Sequence, residues 1–251
     1  MKFVKNIPMG IKILLSINLI VFFGFMILET CFNLNLTTYF SANIISSGYF
    51  NPIQIITYMF VHSNSDFLHI ISNLILLMIF GISLEHRIGC KHIIILYVIS
   101  GICSFMFFNI IKEIEKTEFR QICSEHNIEL SKLSQNKAGK YDYNDYYISL
   151  NSKQLNILNQ YRQINAIFLG ASGSVAGIMV MFVLIYLFNF KYIFQLLIGL
   201  FFITISLLAL KTYNTETSGV TYGHLGGLIM GMLYFIVYRL YGIYYEIKKR
   251  G

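Results

Sequence analysis

The sequence predicts an all-α membrane protein built as a bundle of six transmembrane helices. Three observations lead there. The chain of 251 residues is 56% hydrophobic and only 12% charged, whereas a soluble domain carries roughly 25% charged residues. Its mean hydropathy is +0.62. Six apolar segments also approach the roughly 20 residues needed to cross a bilayer. They lie near 11–31, 66–86, 92–112, 164–188, 191–210 and 222–243. One membrane domain over 1–251 accommodates them all, with a polar insertion at about 113–163 between the third and fourth spans.

The first span follows a basic start, Met1-Lys2-Phe3-Val4-Lys5, that imitates a signal peptide. Its apolar run is longer than a usual signal core and has no small-residue cleavage site, so it reads as a retained span. The second and third spans are separated by a short basic connection holding Arg87 and Lys91. In the insertion, 112–133 alternates charge and reads as a surface helix. Residues 134–151, rich in Asn, Lys, Gly and Tyr, read as a loop. A solvated insertion is the plain reading of this stretch; a lid that touches substrate or partner is the alternative. Almost nothing separates the fourth span from the fifth, which makes them a tight hairpin.

The net charge of +7 would suggest nucleic acid in a soluble protein, but its placement follows the positive-inside rule instead. Lys2, Lys5 and Lys12, then Arg87 and Lys91, then Lys191, then Lys248, Lys249 and Arg250 all fall on one side. The opposite side has a 32–65 loop without Lys or Arg, and a last loop with Lys211 alone. The insertion adds basic and acidic residues in near balance, and long loops count for little in the rule. Both termini are therefore expected in the cytoplasm of a multi-pass protein, in a bacterial inner (plasma) membrane. Cys31, Cys90, Cys103 and Cys123 show no paired spacing, so neither a disulfide framework nor a zinc site is indicated.

The chemistry concentrates in two glycine-rich stretches, Gly170 to Gly177 and Gly223 to Gly231. Gly173 and Gly177 form one small-xxx-small pair, Gly227 and Gly231 another, and such pairs let transmembrane helices approach closely. If these two ladders dock, Ser172 and His224 come within hydrogen-bonding range, a nucleophile beside a base. The span limits put Ser172 about two turns into the fourth span and His224 near the start of the sixth, at similar depth. A lone membrane serine is more often a packing residue, and polar groups in a bilayer are otherwise paired or functional. The second span adds His69 and Asn73, i,i+4 neighbours on one face. An imidazole N–H and an amide together can donate to a developing oxyanion; the plainer reading is a polar clasp between helices.

Taken together, Gly170-Ala171-Ser172-Gly173, the H-x-x-G-x-x-x-G run from His224 to Gly231, and H-x-x-x-N from His69 to Asn73 resemble the rhomboid intramembrane serine proteases. Phe50 to His62 ahead of the second span, and Gly81 with Glu85 to Gly89 at its end, extend the likeness across all six spans. The resemblance implies a rhomboid-like bundle in which Ser172 is the nucleophile and His224 its general base, without an acidic third member. It makes Asn73, His69 and the Ser172 backbone N–H an oxyanion hole. Gly170 and Gly173 would allow close backbone approach, and Glu85 and Arg87 would brace the inner loop. The expected function is hydrolysis of peptide bonds in or near transmembrane segments of other proteins. Transmembrane substrates and the lipid bilayer are then the partners, with no cofactor, metal or nucleic acid.

This chain departs from the family pattern in places. It has no tryptophan, so a first-loop Trp-Arg pair common in the family is missing. Ala176 stands where many members place an aromatic against the histidine, which leaves Tyr222 or Phe182 to orient His224. His62 either helps water enter or sits at the membrane interface, and the interface reading is preferred. An inactive rhomboid-like protein that binds transmembrane helices is the alternative function. A solute transporter would show mid-membrane charge pairs or a repeat, and an intramembrane zinc protease would show HExxH; the sequence has neither.

Overall fold

A computed structural model describes residues 7–64, 66–127, 151, 168–187, 190–211 and 218–250. The chain is helical, with α1 Met9–Phe32, α2 Leu36–Phe40, α3 Gln54–Thr57, a 3-10 turn Tyr58–Phe60, α4 Phe67–Ile88 and α5 Cys90–Glu125. After these come α6 Ser172–Tyr186, a 3-10 turn Phe190–Tyr192, α7 Ile193–Lys211 and α8 Ser218–Arg250. Among the described residues the one non-helical pairing is an isolated antiparallel bridge between Ala42 and Phe168.

Four helical stretches are long and apolar enough to cross a membrane: α1, α4, α5 and the Tyr222–Gly242 part of α8. They bear outward-facing Ile20, Phe23, Leu68, Met106 and Val237. A belt of this kind is an aggregation liability in water and a solvated surface in lipid, as expected of an integral membrane protein. Helix α6 has 15 residues, about 22 Å at 1.5 Å per residue, and is shorter than the 164–188 span expected.

Helix α6 is the axis. From Gly173 to Val183 every residue is buried, and α4, α5 and α8 pack around it. Lipid tails are as apolar as leucine, so helix association in a membrane rests on close van der Waals fit rather than on burial from water. Small residues provide that fit. A Cβ at Gly227 would collide with the Gly173 carbonyl, and one at Gly231 with the Gly177 carbonyl. On the other side of α6, Gly173 and Gly177 lie against Ser104 and Ser100 of α5. The predicted pair of glycine ladders is thus a seam of three helices. The Ser100-x-x-x-Ser104 step of α5, a small-xxx-small spacing in the sequence itself, is its third member.

At the far end of α4, Glu85 is buried and accepts from the backbone N–H groups of Gly10 and Ile11, each at 2.7 Å. These donors belong to the first turn of α1, where no intrahelical acceptor exists and a carboxylate is favoured by the helix dipole. Glu85 therefore pins the start of the first helix to the end of the second span.

Two expectations about element limits need correction. The first half of the insertion is no separate surface helix. Helix α5 runs unbroken to Glu125, with Lys112 paired to Glu115 at 2.7 Å and Lys116 reaching back to the Ser46 carbonyl at 3.3 Å. Ser172 does not lie two turns inside a span: it is the first residue of α6, preceded by Gly170 with φ at +108°. The loop expected over 134–150 lies outside the described residues.

Candidate active site

The segment entering α6 is tied down at every step. Phe168 exchanges both backbone hydrogen bonds with Ala42 (2.8 and 2.9 Å), and the Gly170 N–H donates to the Tyr58 carbonyl at 3.0 Å. Gly170 is required twice over. Its positive φ excludes ordinary side chains, and a Cβ there would lie 2.6 Å from His69 Cε1. The chain then turns into α6 with Ser172 in its first turn and no side-chain cap. The leading N–H groups of the helix are left without intrahelical acceptors and carry the positive end of its dipole.

Across the glycine seam, His224 lies in the first part of α8, and its Nε2 is 2.7 Å from Ser172 Oγ. In the tautomer that carries its proton on Nδ1, Nε2 accepts from the serine hydroxyl, the arrangement a base needs. Both side chains are half-buried and open into a cavity of about 290 Å³. His69 and Asn73 from α4 line the same cavity, with Ser72, Val175, Ala176 and Met179, and Phe202 from α7. The four polar residues singled out from the sequence thus meet in one space. Asp66 positions His69 by accepting from its backbone N–H at 3.1 Å, as the cap of α4. Asn73 Nδ2 donates to the His69 carbonyl at 2.9 Å and keeps a second N–H to give.

His62 faces the inside of the protein. It is 1% exposed, in the loop between the Tyr58–Phe60 turn and α4. Its Nδ1 lies 3.3 Å from the Phe60 carbonyl, an acceptor only, so Nδ1 carries the proton and Nε2 is the free lone pair. Two donors share that lone pair at the long distance of 3.5 Å: the amide of Asn73 and the backbone N–H of Ala171. Burial, with His69 nearby, pushes the His62 imidazole down from its ordinary 6.5 to about 4 and keeps it neutral. One uncharged ring thereby joins the His69/Asn73 face to the loop that carries Ser172.

Phe182 does not orient His224. It stands ten residues along α6 from Ser172, about 15 Å away along the axis, packed among Phe80, Tyr186 and Tyr192. Ala176, at the position of the missing aromatic, lines the cavity together with His224 and with Phe202 from α7. His224 itself meets Ser172 Oγ, and its neighbour Gly223 lies against Phe168.

The arrangement has what acyl transfer requires: a hydroxyl on a base, a helix N-terminus beneath it, and amide and imidazole donors opposite. A family model described as Rhomboid domain matches residues 49–120 and 144–241. No curated protein and no solved structure matches the chain.

Proposed function

The chain belongs to the rhomboid family, and on that premise we propose that it is an intramembrane serine endopeptidase acting through Ser172 and His224. The observation that carries the reading is the 2.7 Å contact between Ser172 Oγ and His224 Nε2 inside a cavity shared with His69 and Asn73. We take α1, α4, α5, the shorter α6, α7 and α8 as six spans, with both termini in the cytoplasm of a bacterial inner membrane, as the basic residues predict. The cavity then opens toward the outer face.

In this mechanism Ser172 Oγ attacks the carbonyl carbon of the scissile peptide as its proton passes to His224 Nε2. The tetrahedral oxyanion is held by the Ser172 backbone N–H, the Asn73 amide and the His69 imidazole. His224 returns the proton to the leaving amine, and the peptide C–N bond breaks. A water then gives its proton to His224 and attacks the acyl ester, which releases the carboxylate and restores the serine hydroxyl. Gly170, Gly173, Gly227 and Gly231 serve by proximity, since the two reacting atoms touch only if α6 and α8 do.

The test is proteolysis in a bilayer. Purified protein reconstituted with single-span reporters should cut them near the membrane surface. Ser172→Ala and His224→Ala should each lower turnover by about three orders of magnitude or more, and a chelator should leave it unchanged. Uncut reporters that nevertheless bind the wild-type protein favour the alternative, a helix-binding relative without activity.

A further inference from the structure

We propose that Asn109, Glu113 and Lys116, a stripe on the outer end of α5, are positioning residues for Ser172 and His224. They hold the 42–47 loop, and the buried end of that loop holds the segment that carries Ser172. The inference rests on the reading of Ser172 and His224 as a catalytic dyad for its effect on turnover.

Helix α5 has 36 residues, about 54 Å at 1.5 Å per residue, whereas the hydrocarbon core of a bilayer is about 30 Å thick. Its apolar run ends at Ile111, and charged residues carry the helix onward from Lys112. The three side chains of the stripe stand at i, i+4 and i+7, on one face, and they meet backbone. Asn109 is buried. Its Nδ2 donates to the Phe105 carbonyl at 3.1 Å, and its Oδ1 accepts from the Ile45 N–H at 2.8 Å. Glu113 Oε1 accepts from the Ser46 N–H at 3.3 Å. Lys116 Nζ donates to the Ser46 carbonyl at 3.3 Å and also to the Ser46 hydroxyl. Backbone groups outside helices and strands take their partners from side chains or water. At Ile45 and Ser46 a single helix supplies three of those partners.

The clamped stretch leads straight to the candidate active site. Ser41, Ala42, Asn43 and Ile44 are buried. The Asn43 N–H donates to Gln54 Oε1 at 3.2 Å, and the Ser47 N–H donates to the Ile44 carbonyl at 2.9 Å. Ala42 then pairs with Phe168 through both backbone hydrogen bonds, four residues before Ser172. The Phe168 ring stacks on Phe108, the neighbour of Asn109, with centroids 4.9 Å apart. A Cβ on Gly223, the residue before His224, would lie 2.5 Å from the same ring. Phe168 therefore precedes the serine in the chain and abuts the turn of α8 that carries the histidine. A misplacement of about 1 Å between reacting groups can cost about a hundredfold in rate, so a brace on this ring bears on the chemistry. The outer end of α5 supplies that brace from beyond the lipid.

Hydrogen exchange of the full chain in nanodiscs tests the proposal, with turnover of a single-span reporter measured in parallel. Asn109→Leu and Glu113→Ala should each speed exchange at the Ala42 and Phe168 amides by about fivefold, the effect of one lost hydrogen bond. Each should lower kcat by about fivefold with KM unchanged, because the dyad and not substrate docking is disturbed. Glu113→Gln keeps an acceptor oxygen and should restore both readouts. Arg120→Gln, at an exposed position on the same extension, should change neither. Unchanged exchange within α4 shows that the bundle stays folded. Wild-type exchange at Phe168 in both variants would overturn the proposal, as would faster exchange in an active chain whose kcat does not fall. Exchange needs no turnover. A wild-type chain that cuts nothing removes the dyad reading, while the Phe168 amide still decides whether the stripe holds the loop.

Discussion

At the scale of single residues, burial beside the site favours the uncharged form of a titratable group. His62 illustrates the cost. In the folded chain it is neutral down to about pH 4, while the unfolded chain takes up a proton near 6.5. Between those values the unfolded state binds more protons, so stability rises with pH there. The contribution is fully present above 6.5 and is lost as pH falls toward 4, by up to about 3 kcal/mol. Thermal unfolding in detergent should therefore fall more steeply from pH 7 to 5 in the wild type than in His62→Gln. At neutral pH, His62→Ala should lower turnover by about tenfold, because the Asn73 amide and the Ala171 N–H lose the buried acceptor that orients them. His62→Gln, which keeps an acceptor, should recover part of it. The sequence did not disclose this role. A histidine after Tyr58-Met59-Phe60-Val61 looks interfacial, and only the fold of the following loop turns it inward.

At the scale of elements, the decisive features are where α6 begins and how closely α5 and α8 approach it. The glycine ladders were legible because an eight-residue stretch with seven small residues, Gly170 to Gly177, has few reasons to exist in a membrane besides contact. The start of α6 was not. Hydropathy runs on smoothly through Ala166, Ile167, Phe168 and Leu169, whereas the helix is set off by the Ala42–Phe168 bridge and by the left-handed turn at Gly170. Both depend on residues more than a hundred positions away, out of reach of any local window. The length of α5 escaped for the opposite reason. Its charges, read as a change of structure, instead pair along one helix, as Lys112 and Glu115 do. Gly227→Val should push α8 off α6 and abolish turnover, with a loss of stability of about 1–3 kcal/mol. Gly24→Ala, at a position where a Cβ meets nothing within 4 Å, should leave both unchanged. Glu85→Ala should leave two helix N–H groups of α1 without their acceptor and cost about 1–3 kcal/mol in unfolding assays, with little effect on turnover in the surviving folded fraction.

At the scale of the whole molecule, the two ends of the bundle carry different side chains. One end gathers neutral polar groups around Ser172; the other gathers Arg87, Lys191 and Arg239 around an open cavity. By the positive-inside rule Arg87 and Lys191 are among the residues that predict the orientation. A fluorescent protein fused to the C-terminus should fold and fluoresce, and alkaline phosphatase fused there should stay inactive. The reverse pattern would invert the bundle and place the candidate active site at the cytoplasmic face.

The most direct measurement is labelling by a fluorophosphonate probe, which reacts with a serine only when a neighbouring base has activated it. Membranes carrying the wild-type chain should form a covalent adduct that peptide mapping locates on Ser172, and Ser172→Ala and His224→Ala should form none. An adduct that persists in Ser172→Ala, or a wild-type chain that stays unlabelled while it binds transmembrane helices, would contradict the dyad.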